Sequence, residues 1–331
     1  MPTLHDQHNR TIDYLRISIT DHCNLKCHYC VPFDGRPKLP MADILTYEEI
    51  FAIAKAAVAA GVTKIRLTGG EPLMRKNMLE FCRMLAALPT INDLSVTTNG
   101  ILLEPMAADL KAAGVNRVNV SLDTLDRQRY AQITGKDALD KVLRGIQKAA
   151  DVGLTPVKIN MVPMRGINDD EIVDLARMTL TTPYDIRFIE LMPTSGWARQ
   201  RHDSLFIGID DVRKKVETIG ALEMIPQMQT RGPAAYAKLP GAQGRIGFIA
   251  ALSHHFCSTC NRLRLTADGN LRACLFAEDE VNIRGPLRRG ATTETLQQII
   301  QSVVASKPKG HNLNDADAKP VNGRIMQAIG G

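Results

Sequence analysis

Two periodicities alternate along the first two-thirds of the chain. Segments 12–19, 64–68, 93–98, 116–122, 156–162 and 185–191 carry Ile, Val and Leu at alternate positions, the pattern of strands. Between them, 47–60, 77–88, 103–113, 139–152 and 170–180 space their apolar residues three and four apart, which predicts helices. Gly61, Gly114 and Gly153 end three of these, where a left-handed turn suits a residue without a side chain. Six strands with intervening helices predict an α/β fold, a parallel sheet curved into an incomplete (β/α)6 TIM-like barrel two strands short of closure.

Beyond about residue 220 the alternation gives way to Gly- and Pro-rich stretches and short strands, and 262–266 and 270–274, joined by Asp268-Gly269, read as a hairpin. The chain thus divides into a core, residues 1–220, and a C-terminal module, residues 221–331, expected to close the open side of the barrel. Near its end, Lys307-Pro308-Lys309-Gly310-His311-Asn312 reads as mobile.

In parallel barrels the chemistry gathers where strands end. Here Cys23, Cys27 and Cys30 follow the first strand, Thr68-Gly69-Gly70-Glu71-Pro72 the second, Thr97-Thr98-Asn99-Gly100 the third, Ser121-Leu122-Asp123 the fourth, and Glu190-Leu191-Met192-Pro193 the sixth. One shared pocket accounts for their joint placement. Residues two apart share a strand face, so Arg16 points with Ser18, Lys64 with Arg66 and Thr68, and Lys158 with Asn160. Turned inward, such cations need an anion, for instance a triphosphate; otherwise they pair with Glu71, Asp123 and Glu190, or face outward.

Composition narrows the class. The 331 residues are 44% hydrophobic and 23% charged, ordinary for a globular protein, with no apolar run long enough for a membrane span. The N-terminus is polar, without the apolar core of a signal peptide, so a cytoplasmic location is expected. The net charge of +6 is dispersed, without the basic stripe that nucleic-acid binding favours, and suits an anionic small substrate equally well. Six of the seven cysteines fall into two close groups, unlike a disulfide framework, and point to a reducing compartment.

The first group, Cys23, Cys27 and Cys30, has spacings of three and two residues with an aromatic before the last Cys. Cubane iron–sulfur clusters normally take four thiolates, so a triplet implies one iron left open. Structural zinc with His22 or His28 as fourth ligand is the alternative. Cys257, Cys260 and Cys274 form a second triplet, for which zinc with His254 or His255 is again the alternative. Cys82 lies in a helical pattern and is expected as a buried thiol.

With both triplets, Lys64-Ile-Arg-Leu-Thr-Gly-Gly-Glu-Pro72, Thr97-Thr-Asn-Gly100, Val120-Ser-Leu-Asp123, Lys158-Ile-Asn160, Phe188-Ile-Glu-Leu-Met-Pro193, Phe256-Cys-Ser-Thr-Cys-Asn-Arg-Leu-Arg264 and terminal Gly330-Gly331, the chain resembles the GTP 3′,8-cyclase family of radical S-adenosylmethionine enzymes. The resemblance implies two 4Fe-4S clusters, one on Cys23, Cys27 and Cys30, the other on Cys257, Cys260 and Cys274. It implies contacts to S-adenosylmethionine from Tyr29, Gly70, Ser121 and Met192, and to GTP from Arg16, Arg66, Thr97 and Lys158, with Lys64 and Arg187 as further phosphate partners. Arg262, Arg264, Gly330 and Gly331 would take part in catalysis, the two arginines also reaching the nucleotide. The implied reaction cleaves S-adenosylmethionine reductively, removes hydrogen from C3′ of GTP, joins C3′ to C8 and quenches the product radical with an electron and a proton. It would open molybdenum-cofactor biosynthesis, draw electrons from a flavodoxin or ferredoxin, and pass its product to cyclic pyranopterin monophosphate synthase. No nucleic-acid or membrane partner is expected, and the chain would act as a monomer or homodimer. The alternatives are another radical S-adenosylmethionine enzyme with one auxiliary cluster and, more distantly, a cluster-based redox sensor that binds nucleic acid.

Overall fold

A computed structural model describes residues 3–30, 38–226, 232–276, 279–311 and 326–329. The expected strands are β1 (Tyr14–Ser18), β2 (Lys64–Thr68), β3 (Asp93–Thr98), β4 (Arg117–Ser121), β5 (Lys158–Met161) and β6 (Asp185–Ile189). The expected helices are α1 (Tyr47–Ala59), α2 (Met78–Ala86), α3 (Leu103–Ala112), α5 (Leu139–Asp151) and α6 (Ile172–Thr181); α4 (Arg127–Thr134) falls between α3 and α5 and was not expected. Thr46 caps α1 by accepting from the Glu49 amide while Glu49 accepts from the Thr46 amide, a reciprocal box that starts the helix where the spacing predicts it.

Further along come α7 (Gly196–Leu205), α8 (Ile209–Glu217), β7 (Glu223–Ile225), β8 (Ala235–Lys238), β9 (Arg245–Ile249), β10 (Arg262–Leu265), β11 (Asn270–Arg272), β12 (Val281–Asn282), α9 (Arg284–Arg288), α10 (Thr293–Ala305) and α11 (Met326–Ile329). The expected hairpin is β10 and β11, paired antiparallel. The last third is not free of helices, however: α10 buries Leu296, Ile300, Val303 and Val304 and packs on α1.

All strands join one sheet in the order β12-β11-β10-β1-β2-β3-β4-β5-β6-β9-β8-β7. From β10 to β9 every pairing is parallel. The C-terminal module therefore does not close the barrel through backbone hydrogen bonds. It lengthens the curved sheet at both edges, β10 beside β1 and β9 beside β6, and the sheet stays open. Alternation sorts the faces: Leu15, Ile17, Ile65, Leu67, Val96, Val118, Val120, Ile159, Ile186, Phe188, Ile246, Leu263 and Leu265 are buried in the main hydrophobic core. The intervening residues, among them Arg16, Arg66, Arg187 and Arg264, face the lumen and line its cavity.

The tract at 307–311 is ordered rather than mobile. Lys307 is only 2% exposed, and the carbonyls of Lys307, Pro308 and Lys309 accept from the Arg10 guanidinium. A buried cation from the opposite end of the sequence, invisible to local composition, fixes it. Gly330 and Gly331 lie outside the described residues.

Candidate active site

The first cysteine loop leaves the end of β1 and is fastened on three sides. The Gly70 amide donates to the Thr20 carbonyl and the Glu71 amide to that of His22, both across the β1–β2 gap. On the far side the Lys26 and His28 amides donate to the carbonyls of Thr134 and Ile133 at the end of α4. Gly70 is sterically required: a Cβ there would sit 2.2 Å from the His22 carbonyl oxygen. Tyr29 is held from the third side, its hydroxyl donating to Asp123 Oδ2 at 2.6 Å while Oδ1 accepts from the Val162 amide at 2.8 Å. Burial raises the Asp123 carboxyl to about 6 despite these donors.

Glu71, Asp123 and Glu190 do not neutralise the lumen cations. Glu71, fully buried, accepts from the Leu73 and Asn99 amides and the Thr98 hydroxyl, with burial holding its carboxyl near 7. Glu190 accepts from the amides of Ile209, Leu252 and Ser253, stapling the approach to the second triplet onto the end of β6. Each carboxylate spends its lone pairs on loop amides and hydroxyls, which orders the loops.

Those cations form a layer. Arg16 lies in register with Arg66 on one side and Arg264 on the other. Arg66 donates to Ser95 Oγ at 3.3 Å and lies 5.2 Å over the Tyr14 ring. Arg187 donates to Asn160 and Asn119, each at 2.8 Å, and Gly247 opposite leaves room for it, since a Cβ there would come within 2.9 Å of Arg187 Cγ. Burial, with mutual repulsion, pushes Arg16 well below the usual guanidinium range, Arg264 to about 9 and Arg66 to about 10. Guanidinium groups keep their protons at ordinary pH, so buried charges set this close together favour an anion among them. Thr97 faces the same space with a buried hydroxyl that has no partner among the described residues.

Two expected phosphate contacts are not in this layer. Lys64 lies at the start of β2 and pairs with Asp13 at 2.7 Å, clear of the cavity. Lys158, one step below Asn160 on β5, sits 3.3 Å from the Tyr236 hydroxyl and 3.6 Å from Asp185. Asp185 is also held by Arg245, so the barrel floor is a ring of paired charges beneath the cation layer. Strand periodicity puts Lys64 and Lys158 on the inner face but does not reveal that acids at the strand starts claim them.

Both cysteine triplets line the same cavity, together with Tyr29, Gly70, Ser121, Met192, Arg16, Arg66, Thr97, Arg187, Arg262 and Arg264. All six cysteines are partly buried free thiols. Their neighbours suit cluster ligands: the Leu25 amide and Asn99 Nδ2 reach Cys23 Sγ, and Arg262 Nη2 reaches Cys260 Sγ at 3.4 Å. Burial raises the Cys260 thiol, but Arg262 and Lys307 outweigh it and bring the value down to about 6. Of the histidines of the zinc alternative, His254 is drawn away by Asp210 at 2.8 Å and His22 lies 3.6 Å from Asp21, while His28 packs near Trp197 and His255 lines the cavity against the His311 ring. Both triplets open on one cavity, and three thiols apiece would leave one iron of a four-iron cluster without a protein ligand. Cys82, in contrast, is fully buried in α2, its thiol raised to about 12 by burial.

Sequence reasoning missed Lys307, His311 and Met326, which also line the cavity. No spacing rule marks them: Lys307 and His311 follow α10 outside any helix or strand, and α11, which carries Met326, is only four residues long.

Residues 17–179 match the Radical SAM superfamily, and residues 184–313 match Molybdenum Cofactor Synthesis C. Among curated proteins the chain is similar to one from Moorella thermoacetica named GTP 3′,8-cyclase, 47% identical over 99% of this chain and 100% of the relative. A protein of the same name from Thermodesulfovibrio yellowstonii is 47% identical over 98% of this chain and 99% of its own length. Among solved structures, Streptococcus suis SuiB bound to S-adenosylmethionine matches with a TM-score of 0.61 over 97% of this chain and 79% of that chain; at 15% identity this is a likeness of fold.

Proposed function

The chain belongs to the GTP 3′,8-cyclase family of radical S-adenosylmethionine enzymes, and from that membership we infer the work of the cavity. The protein converts GTP to (8S)-3′,8-cyclo-7,8-dihydroguanosine 5′-triphosphate, the first step of molybdenum-cofactor biosynthesis, with S-adenosylmethionine and two 4Fe-4S clusters. The observation that carries the site assignment is the joint opening of two thiol triplets onto one cavity that is also lined by a layer of cations.

Cys23, Cys27 and Cys30 would hold one cluster and Cys257, Cys260 and Cys274 the other. When bound, the clusters supply single electrons and the open coordination positions for the amino-acid end of S-adenosylmethionine and for guanine. Gly70, with no side chain, lets the cofactor approach the β2 backbone; Ser121 and Met192 flank it, and Tyr29 is fixed for it by Asp123. Arg16, Arg66, Arg187 and Arg264 receive the triphosphate, Thr97 offers its unpartnered hydroxyl, and Arg262 reaches from Cys260 toward the nucleotide. Holding both ends of GTP fixes the ribose between them, the condition for hydrogen removal at one carbon only. Ile189, Ile249, Phe256 and Phe276 in the lining exclude water from the radical species. Lys158, directly below Asn160 in the floor, would take up a proton when the triphosphate binds above it, whereas Lys64 stays paired with Asp13.

The protein works in the cytoplasm, as monomer or homodimer, taking electrons from a flavodoxin or ferredoxin and handing its product to cyclic pyranopterin monophosphate synthase. No described helix is long and apolar enough to cross a membrane. The reading is tested by anaerobic reconstitution, counting iron and sulfide and following GTP conversion by mass spectrometry. Cys27→Ser should abolish S-adenosylmethionine cleavage. Cys260→Ser should keep the first cluster yet lose GTP turnover. Removing Gly330 and Gly331 should leave iron content and melting temperature near the parent's while product falls sharply. Zinc at the second triplet of anaerobically prepared protein, or an absence of cyclised product from the reconstituted parent, would defeat it.

A further inference from the structure

The three cysteines of the second triplet come from one stretch of chain, but two buried cations from far away in sequence fix the backbone that presents them. Arg10, 7% exposed and oriented by Asp6 at 2.5 Å, donates through Nη1 to the Cys257 carbonyl at 2.7 Å and the Lys309 carbonyl at 3.1 Å. Its Nη2 donates to the Pro308 carbonyl at 2.6 Å. Lys307, 2% exposed, donates through Nζ to the Arg262 carbonyl at 2.9 Å and to the Ala273 carbonyl. Arg262 lies two residues after Cys260 and Ala273 immediately before Cys274, so one ammonium spans both ligand segments.

Among the described residues no carboxylate lies within ion-pair distance of Lys307, and its side chain lines the same cavity as the six cysteines. An ammonium buried on two neutral carbonyls is costly unless an anion stands near, and an anionic cluster held by the two segments it ties together would be one.

We propose that Lys307 is a positioning residue for the second cluster: it ties together the segments that present Cys260 and Cys274 and supplies the charge against which their thiolates are held, while Arg10 locks the Lys307 segment onto Cys257. The proposal rests on the reading that this triplet holds a cluster. A fixed positive charge beside a cluster favours its reduced form, which carries one more electron, so the charge raises the reduction potential as well as retaining the metal.

The test uses the full-length chain with Cys23, Cys27 and Cys30 all replaced by Ala, so that iron reports the second site alone. After anaerobic reconstitution, iron and sulfide per chain, the rate of iron loss to a chelator, and the midpoint potential from redox titration followed by electron paramagnetic resonance are measured. Lys307→Gln, which keeps two N–H donors and removes the charge, should shift the midpoint to lower potential and speed iron loss several-fold. Lys307→Arg should restore the parent's potential. Arg10→Met should speed iron loss, and it keeps the brace testable should Lys307→Gln fold poorly. Parent-like potential and iron retention in Lys307→Gln overturn the proposal, as does parent-like retention in Arg10→Met for the brace. A parent background that takes up no cluster overturns instead the reading of the triplet on which it rests.

Discussion

A single lumen residue carries two kinds of information, where its strand puts it and what its neighbours leave undone. Arg66 is 9% exposed and, among the described residues, meets a serine hydroxyl and an aromatic face but no carboxylate, so its charge is available to a polyanion. Arg66→Ala should weaken GTP binding by about 1.5–3 kcal/mol, the range for hydrogen bonds to charged groups, with iron content unchanged. Calorimetric titration of the reconstituted protein measures this, and unaltered affinity would mean the triphosphate lies elsewhere. Lys158 makes a different prediction because its amine is pushed from 10.5 down to about 6 by burial, then by Arg187 and Arg117. Between those values the unfolded chain binds the extra proton and the folded chain does not, so this group makes stability rise with pH from about 6 upward. Its share is at most about 1.4 kcal/mol per pH unit. Urea unfolding of GTP-free protein from pH 6.5 to 8.5 should therefore show a shallower rise in Lys158→Met than in the parent. Equal slopes would show that the folded lysine keeps its proton. A bound triphosphate would reverse the effect and draw a proton in, detectable as binding heats that depend on the buffer.

At the scale of elements, most of the core was legible and the reason is physical. Residues such as Ile17, Leu67 and Val120 alternate strictly because one sheet face meets helices and the other a polar lumen, and that alternation survives in the sequence. Gly61, Gly114 and Gly153 do adopt positive φ, as the helix ends required. Less legible were elements whose partners are remote. α4 is short and polar outward, and α10 is recognised as a packed helix only through its contact with α1. The six thiols and the arginines were visible from spacing and family pattern, whereas the capture of Lys64 by Asp13 depends on a pairing across strands that periodicity does not encode. Loop contacts can be tested directly. Gly70→Ala would drive a methyl group into the His22 carbonyl, and the cysteine loop must shift to relieve it. Iron at the first triplet should fall well below the parent's, with the second cluster retained. Full iron in that variant would show that the loop yields without losing its grip.

For the whole molecule, the decisive feature is that β9 and β10 extend opposite edges of the same parallel sheet. Strands β1 to β6 are complete at residue 189, but the partner of β1 is not finished until residue 265. The order of synthesis therefore sets a waiting period. At ~5–20 residues per second a ribosome needs on the order of ten seconds to make the intervening chain, and the exposed edges of β1 and β6 must meanwhile be kept from pairing with other molecules. A nascent chain stalled with residue 220 just outside the exit tunnel should be readily cut by protease and bound by chaperones. One stalled after residue 305 has emerged should resist, because both edges are then paired and α10 can reach α1. Early protection of the shorter chain would mean that the six strands curl into a stable body without their flanks. Otherwise the enzyme is born late, and the strands beside its second set of thiols decide when the first half is allowed to be a protein.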